Sequence, residues 1–143
     1  MNALRDAFVQ KLQATAAVTT LATGGVWPGL PPEDAADYPF ITVTAQDAPK
    51  PERVFRGGGS VADEIAFESA TYLVKAIDKS TSPKAVGDIN MQIRAALDGQ
   101  TITVTGYTLI NLIWQGDLGY VEEADGQIYQ HEGGLYQIWA KKT

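Results

Sequence analysis

A helix signal enclosed by strand signals places the strongest limit on the fold of this chain. Ser82-Pro83 is a favoured helix start, because serine caps helix N-termini and proline suits the first helical position. Gly99 is a favoured stop at the other end. Between them, apolar residues recur at spacings of three and four, namely Val86, Ile89, Ile93, Ala96 and Leu97. The pattern predicts one helix that turns a single apolar stripe toward a core.

Strand patterns precede and follow this helix. Residues 65–78 predict one long strand, with Tyr72, Val74 and Ala76 on one of its faces. Shorter strands are predicted at 26–27, 40–44, 101–105, 107–114, 119–122, 127–130 and 135–141. Turns are predicted at 124–126 and 132–134, where glycine follows an acidic residue.

The N-terminal residues predict a second helix. Asn2 is a favourable cap for it, Leu4 and Phe8 follow at helical spacing, and Thr15 is placed to cap a short further turn. Together the patterns predict an α+β fold of one domain over residues 1–143, with two helices packed on one face of a mainly antiparallel sheet. A crossover through the Ser82 helix is able to set one strand pair parallel.

The segment 46–60 departs from these patterns. It contains Pro49, Pro51 and a run of three glycines at 57–59. Proline and glycine interrupt regular structure, so we expect a long flexible loop or hairpin insert there, outside the regular core. Its glycines lack the sequence context of a phosphate-binding loop.

Composition excludes several kinds of chemistry. The chain has no cysteine and one histidine, His131, so it lacks thiolate ligands and a thiol nucleophile. His131 precedes the predicted turn at 132–134, and we expect a surface or edge-strand residue. Glu122, Glu123 and Asp125 lack the ligand spacing of a calcium loop and are expected at a solvated hairpin tip. We expect no catalytic residue, no metal and no cofactor.

Charge and hydropathy limit the partners. The formal net charge is −6, so we expect no basic face that reads nucleic acid. No apolar run approaches the roughly 18 residues that cross a bilayer, and the polar start lacks the apolar region of a signal peptide. The expectation is a soluble protein made in a cytoplasm, with no membrane contact.

Two segments of opposite charge are candidate contact surfaces. Residues 117–134 contain five acids and no Lys or Arg, and include Glu122, Glu123 and Asp125. The basic segment and a nearby aromatic supply the other candidates, namely Lys50, Arg53, Val54, Phe55, Arg56 and Trp27. A ring subunit presents different surfaces to its two neighbours, and opposite charges suit such a contact. The alternative is a mobile loop and a solvated hairpin without a partner.

Six segments follow one another in a characteristic order along residues 3–141. They are LRDAF at 4–8, VWP at 26–28, YPFITV at 38–43, YLVKAID at 72–78, AVGDINMQIRAAL at 85–97 and YQIWA at 136–140. This order resembles that of the phage tail-completion proteins, relatives of the tail terminators and tail-to-head joining proteins of long non-contractile tails.

The resemblance implies an α+β structural protein without enzymatic activity. Such a subunit forms a ring, often a hexamer, that caps the tail tube at the head-proximal end of the virion tail, after assembly in the host cytoplasm. Its partners would be further copies of itself, the tail tube protein and a neck or head-completion protein. A tail-to-head joining adaptor is the alternative within this resemblance.

Two other classes of function stay open at this stage. A small binding module with no phage role would remain monomeric and show an enclosed apolar pocket. An enzyme that uses scattered carboxylates would need convergent acids with perturbed pKa values.

Overall fold

The computed structural model describes residues 3–31, 37–46, 50–54 and 64–143. Its elements, in chain order, are α1 (Ala3–Gln13), α2 (Ala16–Thr19), β1 (Val26–Trp27), β2 (Phe40–Ala45), β3 (Lys50–Val54), β4 (Glu64–Lys79), α3 (Lys84–Leu97), β5 (Tyr107–Ala124) and β6 (Gln127–Lys142).

The strands form one six-stranded sheet in the order β1-β2-β4-β6-β5, and β3 pairs with β4 beside that path. β1 and β2 are parallel, whereas every other neighbouring pair is antiparallel. The predicted α+β class with a mainly antiparallel sheet is therefore confirmed.

The parallel pair does not lie where the crossover helix was expected to place it. α3 connects β4 to β5, and these two strands run in the same direction, but β6 lies between them. A tight turn folds β6 back along β5, so β6 pairs with both strands and separates them.

The helices pack on one face of the sheet, which we call the helix face. Phe8 of α1 is fully buried against two tyrosines of the sheet, with ring centroids 5.0 Å from Tyr72 and 6.5 Å from Tyr136. Val74 and Ala76 share this buried face, as predicted. The predicted stripe of α3 is also buried, namely Val86, Ile89, Ile93, Ala96 and Leu97. We call the opposite side of the sheet the open face.

The sequence signals at the ends of α3 are confirmed in part, because the helix begins at Lys84 and its N-cap is Pro83, which makes no side-chain cap, rather than Ser82. The Ser82 Oγ accepts a hydrogen bond from the Lys84 backbone N–H at 3.2 Å. Gly99 follows the helix with φ +67°, a left-handed conformation that glycine adopts without a Cβ penalty. Thr15 behaves differently from the expected cap: its hydroxyl donates to the Lys11 carbonyl at 2.7 Å instead of accepting from the next turn. Asn2 lies outside the described residues.

The C-terminal half contains fewer and longer strands than predicted. The strands expected at 107–114 and 119–122 are parts of β5, and those expected at 127–130 and 135–141 are parts of β6. Residues 101–105 form no strand, although Ile102 and Val104 are buried. The alternating apolar pattern of these residues reflects burial of their side chains and not backbone pairing with another strand.

The turn expected at 132–134 is wrong, because these residues lie inside β6. Gly133 pairs with Lys75 of β4 and Leu118 of β5. A Cβ at Gly133 would lie 2.4 Å from the Val74 carbonyl oxygen and 2.6 Å from the Lys75 Cα. The glycine is therefore required by a close backbone approach, which is the other common reason for glycine within a strand.

Of the loop and the hairpin expected over 46–60, the structure shows a hairpin strand in the middle part, so the expectation that this segment lies outside regular structure is wrong there. Residues Lys50–Val54 form β3, which is antiparallel to β4 and has a register shift between Glu52 and Arg53. Proline is tolerated in strands at sheet edges, which accounts for Pro51 in β3. Residues 47–49 and 55–60 lie outside the described part of the chain.

Candidate interaction surfaces

Two kinds of site are not found among the described residues. In the part of the chain that the structure covers, no group of three or more His, Asp or Glu residues is arranged to hold a metal ion. None of the described helices combines the length and apolar character needed to cross a bilayer.

The predicted acidic tip is confirmed. Glu122, Glu123 and Asp125 are all exposed at the end of the β5–β6 hairpin. Asp125 and Gly126 have φ values of 51° and 74°. Positive φ at both central residues is typical of the two-residue turn whose twist matches that of paired strands. The turn fixes Ala124 opposite Gln127, and thereby the register of the whole hairpin.

The basic candidates lie at the other end of β4. Lys50 pairs with Ser69 and Val54 pairs with Glu64, so β3 runs along the first residues of β4. The acidic hairpin instead lies level with the last residues of β4, where Lys79 pairs with Tyr129. The acidic and basic candidates therefore occupy opposite corners of one sheet. Arg53 also lies in β3, between Lys50 and Val54, whereas Phe55 and Arg56 are outside the described residues.

Trp27 is separate from both corners. It lies in β1, at the sheet edge opposite β5. Its indole N–H donates to the Gly24 carbonyl oxygen at 2.8 Å, and the ring is half-buried. It borders a groove of about 580 Å³ that Val9, Gln13 and Thr23 also line. The indole is thus held by its own chain, and the structure does not bring it together with the acidic or basic residues.

A further group of polar side chains lies on the open face near the acidic tip. It contains Lys75 of β4, Tyr120 and Glu122 of β5, and His131 of β6, and we call it the His131 cluster. The imidazole stacks on the Tyr120 ring at a centroid distance of 4.3 Å, and its Nε2 lies 3.0 Å from the Glu122 Oε1. The Lys75 ammonium donates to the Tyr120 hydroxyl at 2.8 Å.

The position of His131 contradicts the expected surface or edge-strand residue. Its side chain is only 7% exposed, because β6 lies between β4 and β5 and the Tyr120 ring covers the imidazole. The sequence interpretation was wrong because it relied on the turn expected at 132–134. The two-residue turn at 125–126 was the usable signal, since counting back from it pairs Tyr120 with His131.

Electrostatics favour a neutral imidazole in this cluster. Burial lowers the pKa of His131, the hydrogen bond and charge of Glu122 act in the opposite direction, and the charge of Lys75 lowers it further. The His131 Nδ1 is buried without a hydrogen-bond partner in the described structure. A lone pair is less costly there than an N–H group, so we assign the proton to Nε2, which donates it to Glu122.

The cluster connects three strands rather than exposing a reactive group. Lys75, Tyr120 and His131 come from three neighbouring strands, and their contacts hold the acidic hairpin against β4. Tyr38, Phe40 and Tyr129 continue the open face beside it, with ring centroids 5.3 and 5.8 Å from the Tyr38 ring. The acidic end of the hairpin is therefore held in place by side-chain contacts with the neighbouring strands.

Comparisons with known proteins identify the fold. No protein-family model matches the chain, and no curated protein matches it. A chain from the virion of a native gene transfer agent particle is similar in structure, with a TM-score of 0.70 and 14% identity; 96% of this chain and 94% of that chain are covered. A second solved structure, whose name states no activity, has a TM-score of 0.52 and 11% identity with the same coverage.

At these identities the similarity establishes a shared α+β fold. It extends over almost the full length of both chains, so it includes the sheet, the helix face and the long β5–β6 hairpin.

Proposed function

We propose that this chain is a structural subunit of a phage-type virion tail. In this proposal it forms a ring, most simply a hexamer, that caps the head-proximal end of the tail tube and gives the neck or head connector a docking surface. Its partners are further copies of itself, the tail tube protein and a neck protein. Its place is the virion, after assembly in the host cytoplasm.

The observation that carries the proposal is the placement of opposite charges on a fold shared with a virion chain. The acidic tip and the basic β3 lie at opposite corners of one sheet. A contact between different surfaces of identical subunits propagates head to tail, and it closes into a ring when the rotation permits. The fold of the gene transfer agent chain supports a virion role for such an assembly.

The geometry favours a structural role over the rival classes. Glu122 contacts His131 and Asp117 accepts from the Trp114 indole at 2.9 Å, so these acids support neighbouring side chains rather than converge on one point. The groove beside Trp27 lies away from the His131 cluster. We therefore propose no enzymatic activity for the chain.

Two roles at the tail end remain to be separated by experiment. A terminator binds the growing end of the tube and stops the addition of further tube subunits, whereas a joining adaptor acts between a finished tail and a filled head. We favour the terminator, because the resemblance noted in the sequence spans residues 3–141 and a compact subunit with open strand edges suits the capping of a tube ring.

Electron microscopy of particles from a nonsense mutant tests this role. Loss of a terminator leaves a tube end that still accepts subunits, so overlong tails with few heads are expected. Normal-length tails beside full, unjoined heads would instead identify the joining adaptor. Particles with normal tails and wild-type yield would remove both roles.

A further inference from the structure

The outer edge of β5 is contacted by the end of α3 near the middle of the strand. β5 ends the sheet, with β6 as its single neighbour in the described structure. Near its middle, the Trp114 N–H donates to the Asp98 carboxylate at 3.0 Å, and the Leu112 carbonyl accepts from the Gly99 N–H at 2.9 Å. The end of α3 thus satisfies the outward backbone groups at this point.

Beyond the register shift at Trp114/Gly116 the edge is open. The two-residue turn makes Ala124 and Gln127 a hydrogen-bonded pair, and hydrogen-bonded and non-hydrogen-bonded pairs alternate along an antiparallel hairpin. Counting from that pair, the outward backbone groups belong to Asp117, Gly119, Val121 and Glu123. Among the described residues, none donates to or accepts from these groups.

This open half has the chemistry of a pairing edge. Sheet edges are commonly protected by charged side chains, proline, a bulge or a covering segment. Residues 117–124 have no proline and, among the described residues, no covering strand; the charges there are all acidic, and Val121 is 63% exposed. The carboxylates of Asp117 and Glu123 disfavour pairing of this edge with the same edge of a second copy, because like charges would meet. They favour a strand that carries cations.

β3 of a second copy meets that requirement. Its sequence, KPERV at 50–54, contains two cations and one acid, and among the described residues it pairs with β4 alone. Pro51 removes one backbone donor from β3, which limits the registers available to an added strand. Because β3 and the open half of β5 lie at opposite corners of the sheet, their pairing between copies joins subunits head to tail.

We infer that the open edge of β5 from Asp117 to Ala124 accepts β3 of a second copy as an added strand. The inference rests on the proposed ring and specifies how its subunits join: backbone hydrogen bonds form the contact, and the charges select the partner edge.

Amide hydrogen exchange in the assembled protein tests the mode of contact. Added pairing should protect the outward amides of Asp117, Gly119, Val121 and Glu123. The intervening amides of 118, 120 and 122 point to β6 and should already be protected in the monomer, which makes them an internal control. Assembly that leaves the outward amides as fast as in the monomer would overturn the inference.

A proline variant tests the same edge by an independent route. Val121→Pro removes an outward N–H that the monomer does not use, whereas Val121→Thr retains it. Loss of one such bond should weaken subunit association by about tenfold in Val121→Pro and leave Val121→Thr close to wild type, as measured by sedimentation of the full chain. Equal association of both variants would contradict added-strand pairing.

A charge reversal covers the case in which Val121→Pro does not fold. Glu123→Lys should weaken association; association equal to that of the wild type would overturn the pairing with β3. Whether a ring forms is tested separately, by assembly of the wild-type protein on tail tubes. A wild-type ring whose outward amides stay unprotected would refute the added strand and leave the proposed function standing.

Discussion

Replacing Gly133 by alanine tests whether β4 and β6 approach as closely as the structure indicates. The added Cβ would lie 2.4 Å from the Val74 carbonyl oxygen, 2.6 Å from the Lys75 Cα and 2.9 Å from the Lys75 Cβ. Two of these atoms belong to the backbone of a central strand, so no side-chain rotation relieves the overlap.

The expected cost follows from the distance that the strands must move. An ordinary contact of 3.4 Å requires β4 and β6 to part by about 1 Å, which stretches the hydrogen bonds on both sides of Gly133. Overpacking of a close-packed site costs about 1–3 kcal/mol, and each weakened hydrogen bond adds up to about 1 kcal/mol. We therefore expect a loss of about 3 kcal/mol in the free energy of unfolding. For a domain of this size, that loss lowers the thermal midpoint by about 10 °C.

Gly119→Ala is the matched control, since Gly119 lies in the neighbouring strand with its nearest atom, the His131 carbonyl oxygen, at 3.4 Å. Alanine in an exposed strand should change the stability by less than about 1 kcal/mol there. Urea or thermal unfolding followed by circular dichroism measures both variants. A Gly133→Ala protein as stable as Gly119→Ala would refute the close approach of β4 and β6.

Three further predictions concern charge and pH. Burial lowers the pKa of His131 below the ordinary histidine value of about 6.5, so at pH values below 6.5 the unfolded chain binds more protons than the folded chain. The contribution of His131 to stability should therefore be complete above pH 6.5 and fall as the pH drops through the folded pKa. His131→Gln should remove this pH dependence in unfolding titrations. Since Glu122 raises that pKa, Glu122→Gln should lower it further, and the single histidine gives one imidazole signal by which NMR measures it; an unchanged pKa would contradict the contact. The double variant Lys50→Glu with Arg53→Glu should weaken assembly without changing the thermal midpoint. The control variant Lys141→Glu with Lys142→Glu changes two exposed lysines and should not affect assembly. Equal weakening in both variants would mean that net charge, and not the basic corner, controls assembly.

The sequence predicted those elements whose local signals agree with one another. α3 has one apolar stripe and a glycine after its end, and the structure confirms both; its start is one residue later than the Ser82-Pro83 signal predicts, with Pro83 as the N-cap. β4 is one long strand as predicted, and Tyr72, Val74 and Ala76 share one of its faces. The secondary structure of both elements follows from residues that are close together in the sequence.

Glycine and proline were misread because each has two structural uses. Gly133 and Gly134 occur where β6 needs close neighbours, although the same residues are typical of turns. Pro51 occurs in a strand at the side of the sheet, although proline usually interrupts strands. Only the position of the neighbouring strand distinguishes these uses, and one sequence does not contain it.

The His131 cluster depends on hairpin register, which explains why residue types alone did not reveal it. Lys75, Tyr120 and His131 are far apart in sequence and meet only because the 125–126 turn sets β5 against β6 and β6 lies beside β4. The acidic tip was accessible to sequence reasoning because its residues are contiguous. Its relation to the basic β3 required the sheet order.

Native mass spectrometry of the purified chain mixed with tail tubes of the particle to which we propose it belongs tests the proposed ring most directly. A ring cap predicts one closed oligomer of about six copies at a tube end, released as a discrete species on mild activation. Binding of a single copy to each tube, or no binding at all, would contradict a ring subunit at the tail end.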